Sequence, residues 1–80
     1  MYKEMIEQIA RFLVEKPDAV RVNEIDGEST VLLELHVDDS DRGRVIGKEG
    51  RVVNALRSIL KAAAARRGDK RVELEVIDKA

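Results

Sequence analysis

Two glycines three residues apart stand in the run Val45-Ile46-Gly47-Lys48-Glu49-Gly50-Arg51-Val52-Val53, with aliphatic residues close on both sides and basic ones interleaved. Without Cβ atoms, Gly47 and Gly50 let the backbone turn tightly, take positive φ and approach a bulky anion. A helix starting after Gly50 would aim its unpaired N–H groups and the positive end of its dipole at the same point. Arg44, Lys48 and Arg51 add cations around it, while Glu49 offsets Lys48, so the side chains inside the turn bring no net positive charge. The chemistry this pattern suits is non-covalent, the gripping of a phosphate.

Other groupings fit their chemistries less well. A nucleotide-binding P-loop needs four residues between its first Gly and Gly-Lys and a hydroxyl after the Lys, whereas Gly43 to Gly47 leaves three and Glu49 follows Lys48. A dinucleotide turn would need Gly where Val45 stands. Asp38, Ser40, Gly43 and Glu49 match some positions of a calcium-binding EF-hand loop, but Arg42 takes a ligand position and a strand pattern precedes Asp38. Helix capping is the expected role of these acids. His36 shares a strand face with Glu34 and has no third partner, Glu73 and Glu75 pair only in sequence, and Ser58 has no base. There is no Cys, so disulfides and thiolate metal sites are excluded. No catalytic residue, metal or cofactor is expected.

The elements around the glycines follow from periodicity. Tyr2, Met5, Ile6, Ile9, Phe12 and Leu13 keep to one face of a helix running from Tyr2 to Lys16, ended by Pro17. A short strand around Val20 and Val22 leads to a turn at Asp26-Gly27, and Val31, Leu33, Leu35 and Val37 then give a buried strand face at period two. A short helix through Arg44, Val45 and Ile46 ends at Gly47. A long helix from about Arg51 to Arg67 turns Val52, Val53, Leu56, Ile59, Leu60 and Ala63 to the core and stops at Gly68. Val72, Leu74 and Val76 close the chain as a last strand. On the long helix Asn54, Arg57 and Lys61 form a polar stripe that starts at the glycine turn and either tracks a phosphate backbone or is an ordinary solvated face.

Eighty residues, 44% hydrophobic and 39% charged, suffice for one small core with one sheet layer and one helix layer. The net charge of −1 conceals a division: residues 1–41 carry 4 basic and 11 acidic side chains, residues 42–80 carry 11 and 5. Contact with a polyanion is decided by the field within about one Debye length, so the basic half outweighs the overall balance. No run is long and apolar enough to cross a bilayer and the N-terminus lacks a secretory apolar stretch, so a cytoplasmic protein without membrane contact is expected.

The Val-Ile-Gly-x-x-Gly-x-x-Val pattern from Val45 to Val53 resembles the signature of the KH domain, with Val53 where that signature more often has Ile. The element order resembles its type II form, and over residues 1–80 the chain is similar to small bacterial single-KH RNA-binding proteins of the KhpA type. The resemblance implies an α+β fold in the order α-β-β-α-α-β, a three-stranded sheet with helices packed on one face, and one KH domain over residues 1–80. It also implies a non-catalytic clamp for single-stranded RNA of about four nucleotides, with single-stranded DNA left open as the ligand. Carried over by position, Gly47, Lys48, Glu49 and Gly50 match the clamp. Arg44 and Arg51 would neutralise phosphates, Val45, Ile46 and Val53 would support bases, and Asn54 and Arg57 could reach sugars or base edges. The resemblance implies partners as well: a homodimer, or a heterodimer with a larger KH-containing protein.

Overall fold

The computed structural model describes residues 1–78. Helix α1 (Tyr2–Leu13) leads through a 3₁₀ turn at Pro17–Ala19 into strands β1 (Arg21–Asp26) and β2 (Thr30–His36). Helices α2 (Arg42–Ile46) and α3 (Arg51–Arg67) follow, and strand β3 (Arg71–Val76) is last, giving the type II KH order α-β-β-α-α-β. The sheet order is β1-β2-β3, with β1 antiparallel to β2 and β3 parallel to it. A hairpin can join only the antiparallel pair; the parallel return needs a crossover, which α2, the glycine turn and α3 supply.

Val22, Leu33, Leu35, Val72 and Leu74 all point to one side of the sheet and pack with Ile6, Ala10, Val45, Val53, Leu56, Leu60 and Ala64 in one core cluster. All three helices therefore cover the same face. Gly68, at φ 71°, ends α3 just after the run Ala62–Ala65 and the pair Arg66 and Arg67. The Asp69 N–H reaches the Ala64 C=O at 2.9 Å and the Gly68 N–H the Ala65 C=O at 3.3 Å, satisfying carbonyls the helix end would leave open.

Four expectations change. Phe12 is 88% exposed and Ile59 49%, although periodicity places both on apolar helix faces. Each lies six residues after a core residue, Ile6 or Val53, and so about 240° round its helix, beyond the apolar stripe. Helix α1 ends at Leu13, short of Lys16: the Val14 N–H still bonds the Ala10 C=O at 3.1 Å, but the two donors after it are taken elsewhere, the Glu15 and Lys16 N–H groups both bonding the Asp41 carboxylate at 3.0 Å. Asp41 is thus a buried tie, 1% exposed, and makes no capping bond to α2. Asp38 does cap, accepting from the Ser40 N–H at 3.0 Å and the Ser40 hydroxyl at 2.6 Å. These two bonds, the hydroxyl's first, hold the Asp38 carboxyl below its ordinary range.

Candidate nucleic-acid interface

The glycine turn is shaped by the fold before any ligand arrives. Gly47, at φ 79° and ψ 172°, lies in a region that only glycine occupies readily. A Cβ there would stand 2.5 Å from Val52 Cγ2 and 2.8 Å from the Val52 backbone nitrogen. The missing side chain makes room for the first turn of α3, so Gly47 is required by internal packing. Gly50 differs: at φ 75° and ψ 14° it is left-handed, but an added Cβ would meet nothing nearer than Asn54 Nδ2 at 3.5 Å. Glu49 is also left-handed, at φ 56°, the one described non-glycine residue with positive φ. The turn closes by a bond from the Gly50 N–H to the Gly47 C=O at 3.1 Å, and the Gly47 N–H ends α2 on the Gly43 C=O at 2.8 Å.

The expected site residues divide into three groups. Lys48, Glu49, Arg51, Asn54 and Arg57 are exposed on the turn and along α3. Among the described residues Lys48 and Arg51 form no ion pair, which leaves their charge available. Arg44 is exposed but engaged, its guanidinium 2.6 Å from Glu15 and 3.2 Å from the buried Asp41. It holds α2 to the end of α1. Val45 is 0% exposed and Val53 5%, so neither offers a surface to a base; they hold the turn from below, and only Ile46 of the three aliphatics is half-exposed.

Beyond the turn, the polar stripe on α3 leads into an open groove of about 770 Å³ between α3 and β3. Arg57 and Lys61 line its helix side with Ala64 and Ala65, and Arg71 to Glu75 form its strand side. Arg57 spans it: its Nε donates to the Leu74 C=O at 3.0 Å and its NH1 group to Asn54 Oδ1 at 3.0 Å. The stripe is therefore more than a solvated face. Ala64 and Ala65 carry no charge or motif to announce them, and the charges of Arg71, Glu73 and Glu75 on the β3 wall read in the sequence only as the polar face of a strand. The signal present is the alanine run itself, since small side chains beside an edge strand leave a trough unfilled. At the groove's far end Asp69 accepts from the Tyr2 hydroxyl and from Arg67 Nε at 3.0 Å. The Tyr2 bond first, then Arg67, holds the Asp69 carboxyl below its ordinary range, and the same contact raises the Tyr2 hydroxyl.

The arrangement can hold an extended polyanion: a turn with free cations, then a helix flank and a strand edge rich in hydrogen-bonding groups. No group of three or more His, Cys, Asp or Glu that could hold a metal occurs among the described residues, and no described helix is long and apolar enough to cross a membrane.

Comparison with known proteins agrees with this architecture. The family model described as KhpA/KhpB, KH domain, matches residues 3–76. "RNA-binding protein KhpA" of Clostridium perfringens is 49% identical over 75 residues, covering 94% of this chain and 99% of that protein. Its counterpart in Aquifex aeolicus is 50% identical over 76 residues, covering 95% of each. Among solved structures, a variant of Aquifex aeolicus Era bound to GDP and aluminium fluoride superposes with a TM-score of 0.60 at 21% identity. That match covers 94% of this chain and 29% of Era, and it concerns the fold alone.

Proposed function

The chain belongs to the KhpA/KhpB KH-domain family, and from that membership we propose that it is a non-catalytic module that clamps single-stranded RNA of about four nucleotides at the Gly47–Gly50 turn. Residues 1–80 act as one KH domain working in the cytoplasm. The observation that carries the reading is the exposed Lys48 and Arg51 at the N-terminus of α3, continuous through Asn54 and Arg57 with an open groove. RNA enters with phosphates at the turn, where Lys48, Arg51 and the first N–H groups of α3 attract them, and its bases lie toward β3. The curated relatives named above are called RNA-binding proteins, which supports the choice of ligand. The aromatics Tyr2 and Phe12 lie on α1, and neither lines the groove, so stacking contributes little and affinity per module is low and salt-sensitive.

The test is a fluorescence-anisotropy titration of wild type and Lys48→Asp with labelled short RNA and DNA pools at two salt concentrations. Saturable wild-type binding that weakens with salt and disappears in the variant is expected. The RNA/DNA ratio then identifies the ligand. Absence of wild-type binding at every concentration sinks the reading. A second reading, an assembly subunit pairing with itself or with a larger KH-containing protein, is favoured by the exposure of Phe12 and Ile59. Light scattering across a dilution series tests self-pairing: a constant monomer mass removes the homodimer.

A further inference from the structure

The wall of the groove is a strand edge. β3 is terminal in the sheet order, and the Ile77 N–H donates to the Leu35 C=O at 2.9 Å. Backbone groups alternate sides along a strand, so residues 73, 75 and 77 face β2, while Val72, Leu74 and Val76 turn their N–H and C=O groups to the free edge. A free edge offers donors and acceptors alike. At Leu74 that balance shifts toward donors, because Arg57 Nε already takes one lone pair of the C=O at 3.0 Å. Asn54 Oδ1 holds the guanidinium from behind, through NH1 at 3.0 Å. The Leu74 C=O keeps one lone pair, but the remaining guanidinium N–H groups and the Leu74 N–H are all donors, so at this point of the groove donors outnumber acceptors.

We propose that Arg57, held across the groove on the Leu74 carbonyl, selects bases that present two neighbouring acceptors and rejects adenine. The inference rests on the RNA-binding reading above and specifies its substrate class. Guanine presents N7 and O6 side by side, and cytosine presents N3 and O2; both match a forked donor. Adenine places its N6 amino group beside N7 on one edge and beside N1 on the other, and an amino group facing a guanidinium leaves two donors opposed. Uracil carries an N–H between its two oxygens and falls between these cases. With Arg57 removed, the freed Leu74 C=O and N–H become an acceptor and donor pair that suits adenine.

The experiment measures the affinity of wild type, Arg57→Met and Lys61→Met for labelled oligo-C and oligo-A of equal length. Wild type is expected to prefer oligo-C by about ten-fold, the scale of one good bidentate contact. Arg57→Met should bind both more weakly, having lost a cation, and its C/A ratio should fall to about one or below. Lys61→Met removes an equal charge from the same stripe and should weaken both oligomers while keeping the wild-type ratio. Nitrogen-15 spectra of the wild type give a second measurement that needs no variant: the Arg57 Nε–H signal should persist when oligo-C is added. A wild-type ratio preserved in Arg57→Met, an adenine preference in wild type, or release of the Arg57 Nε–H on binding overturns the assignment of base choice to Arg57. Those results leave RNA binding intact. Failure of wild type to bind either oligomer instead overturns the RNA-binding reading, and base selection with it.

Discussion

Replacing Gly47 by Ala should damage the protein far more than the same change at Gly50, although both belong to the same Gly-x-x-Gly turn. At Gly47 the new Cβ meets Val52 Cγ2 at 2.5 Å, the Val52 nitrogen at 2.8 Å and Val52 Cβ at 2.9 Å, and two of these atoms cannot swing away. Overpacking of this kind costs about 1–3 kcal/mol. The φ 79°, ψ 172° conformation adds backbone strain, costing about 1–3 kcal/mol more for a side-chain-bearing residue. A loss of about 2–6 kcal/mol is large against the roughly 4–12 kcal/mol expected for a domain of this length. Gly50→Ala carries only the left-handed penalty of about 1–2 kcal/mol, because its added Cβ makes ordinary contacts. Urea denaturation followed by circular dichroism, with the m-value checked for constancy, measures both. In thermal melts, at about 4–8 °C per kcal/mol, Gly47→Ala should lie at least about 8 °C below wild type and Gly50→Ala about 4–16 °C below it, with Gly47→Ala the lower of the two. Equal losses in the two variants, or a Gly47→Ala loss under about 1 kcal/mol, would refute the claim that the first glycine serves internal packing.

Three further expectations follow from single contacts. Asp41→Asn keeps the shape but replaces one acceptor oxygen by a donor facing the Glu15 or Lys16 N–H; an unpaired buried donor should lower stability by about 1–3 kcal/mol in urea melts, with faster hydrogen exchange at that amide. Glu49→Asn puts a residue tolerant of left-handed backbone at φ 56°; it should gain about 0.5–1 kcal/mol, and by removing the anion beside Lys48 it should tighten RNA in the anisotropy assay. The depressed Asp69 carboxyl contributes stability that is fully present above the unfolded Asp range and lost as pH falls through its lower folded value. Tyr2→Phe removes the first cause of that depression, so its melting temperature should lie below wild type near neutrality, with the gap closing as both proteins are acidified below the ordinary Asp range.

Much of this architecture was legible in the sequence because its signals are local. Arg51 to Arg67 reads as one helix from periodicity and its glycine stop, and the structure ends it at the same residues. The Gly-x-x-Gly turn, the hairpin at Asp26-Gly27 and the alternating strands were equally plain. What escaped depends on partners distant in the chain. Asp41 lies among acids suited to capping, and only the approach of α1 reveals that it accepts from Glu15 and Lys16. Phe12 and Ile59 satisfy an apolar pattern drawn too wide, because periodicity does not reveal where a neighbouring element stops covering a helix. Arg57 was visible as part of a basic stripe, whereas its bond to the Leu74 carbonyl requires knowing which edge of the sheet β3 occupies.

The two glycines also show why a motif and its function must be tested at different residues. If Gly47 is required by Val52, its presence would be enforced even in a domain that never met RNA, and a binding defect in Gly47→Ala would be confounded with unfolding. Arg44 has the same weakness, since it ties α2 to Glu15 and Asp41. Lys48 has no such second duty among the described residues: it is exposed, forms no ion pair and lies outside the core. Its reversal to Asp changes the field at the turn by two charges while leaving the packing beneath it in place. A loss of RNA binding in that variant can therefore be assigned to the clamp, whereas an unchanged affinity would move the contact away from the turn and toward the groove that Arg57 spans.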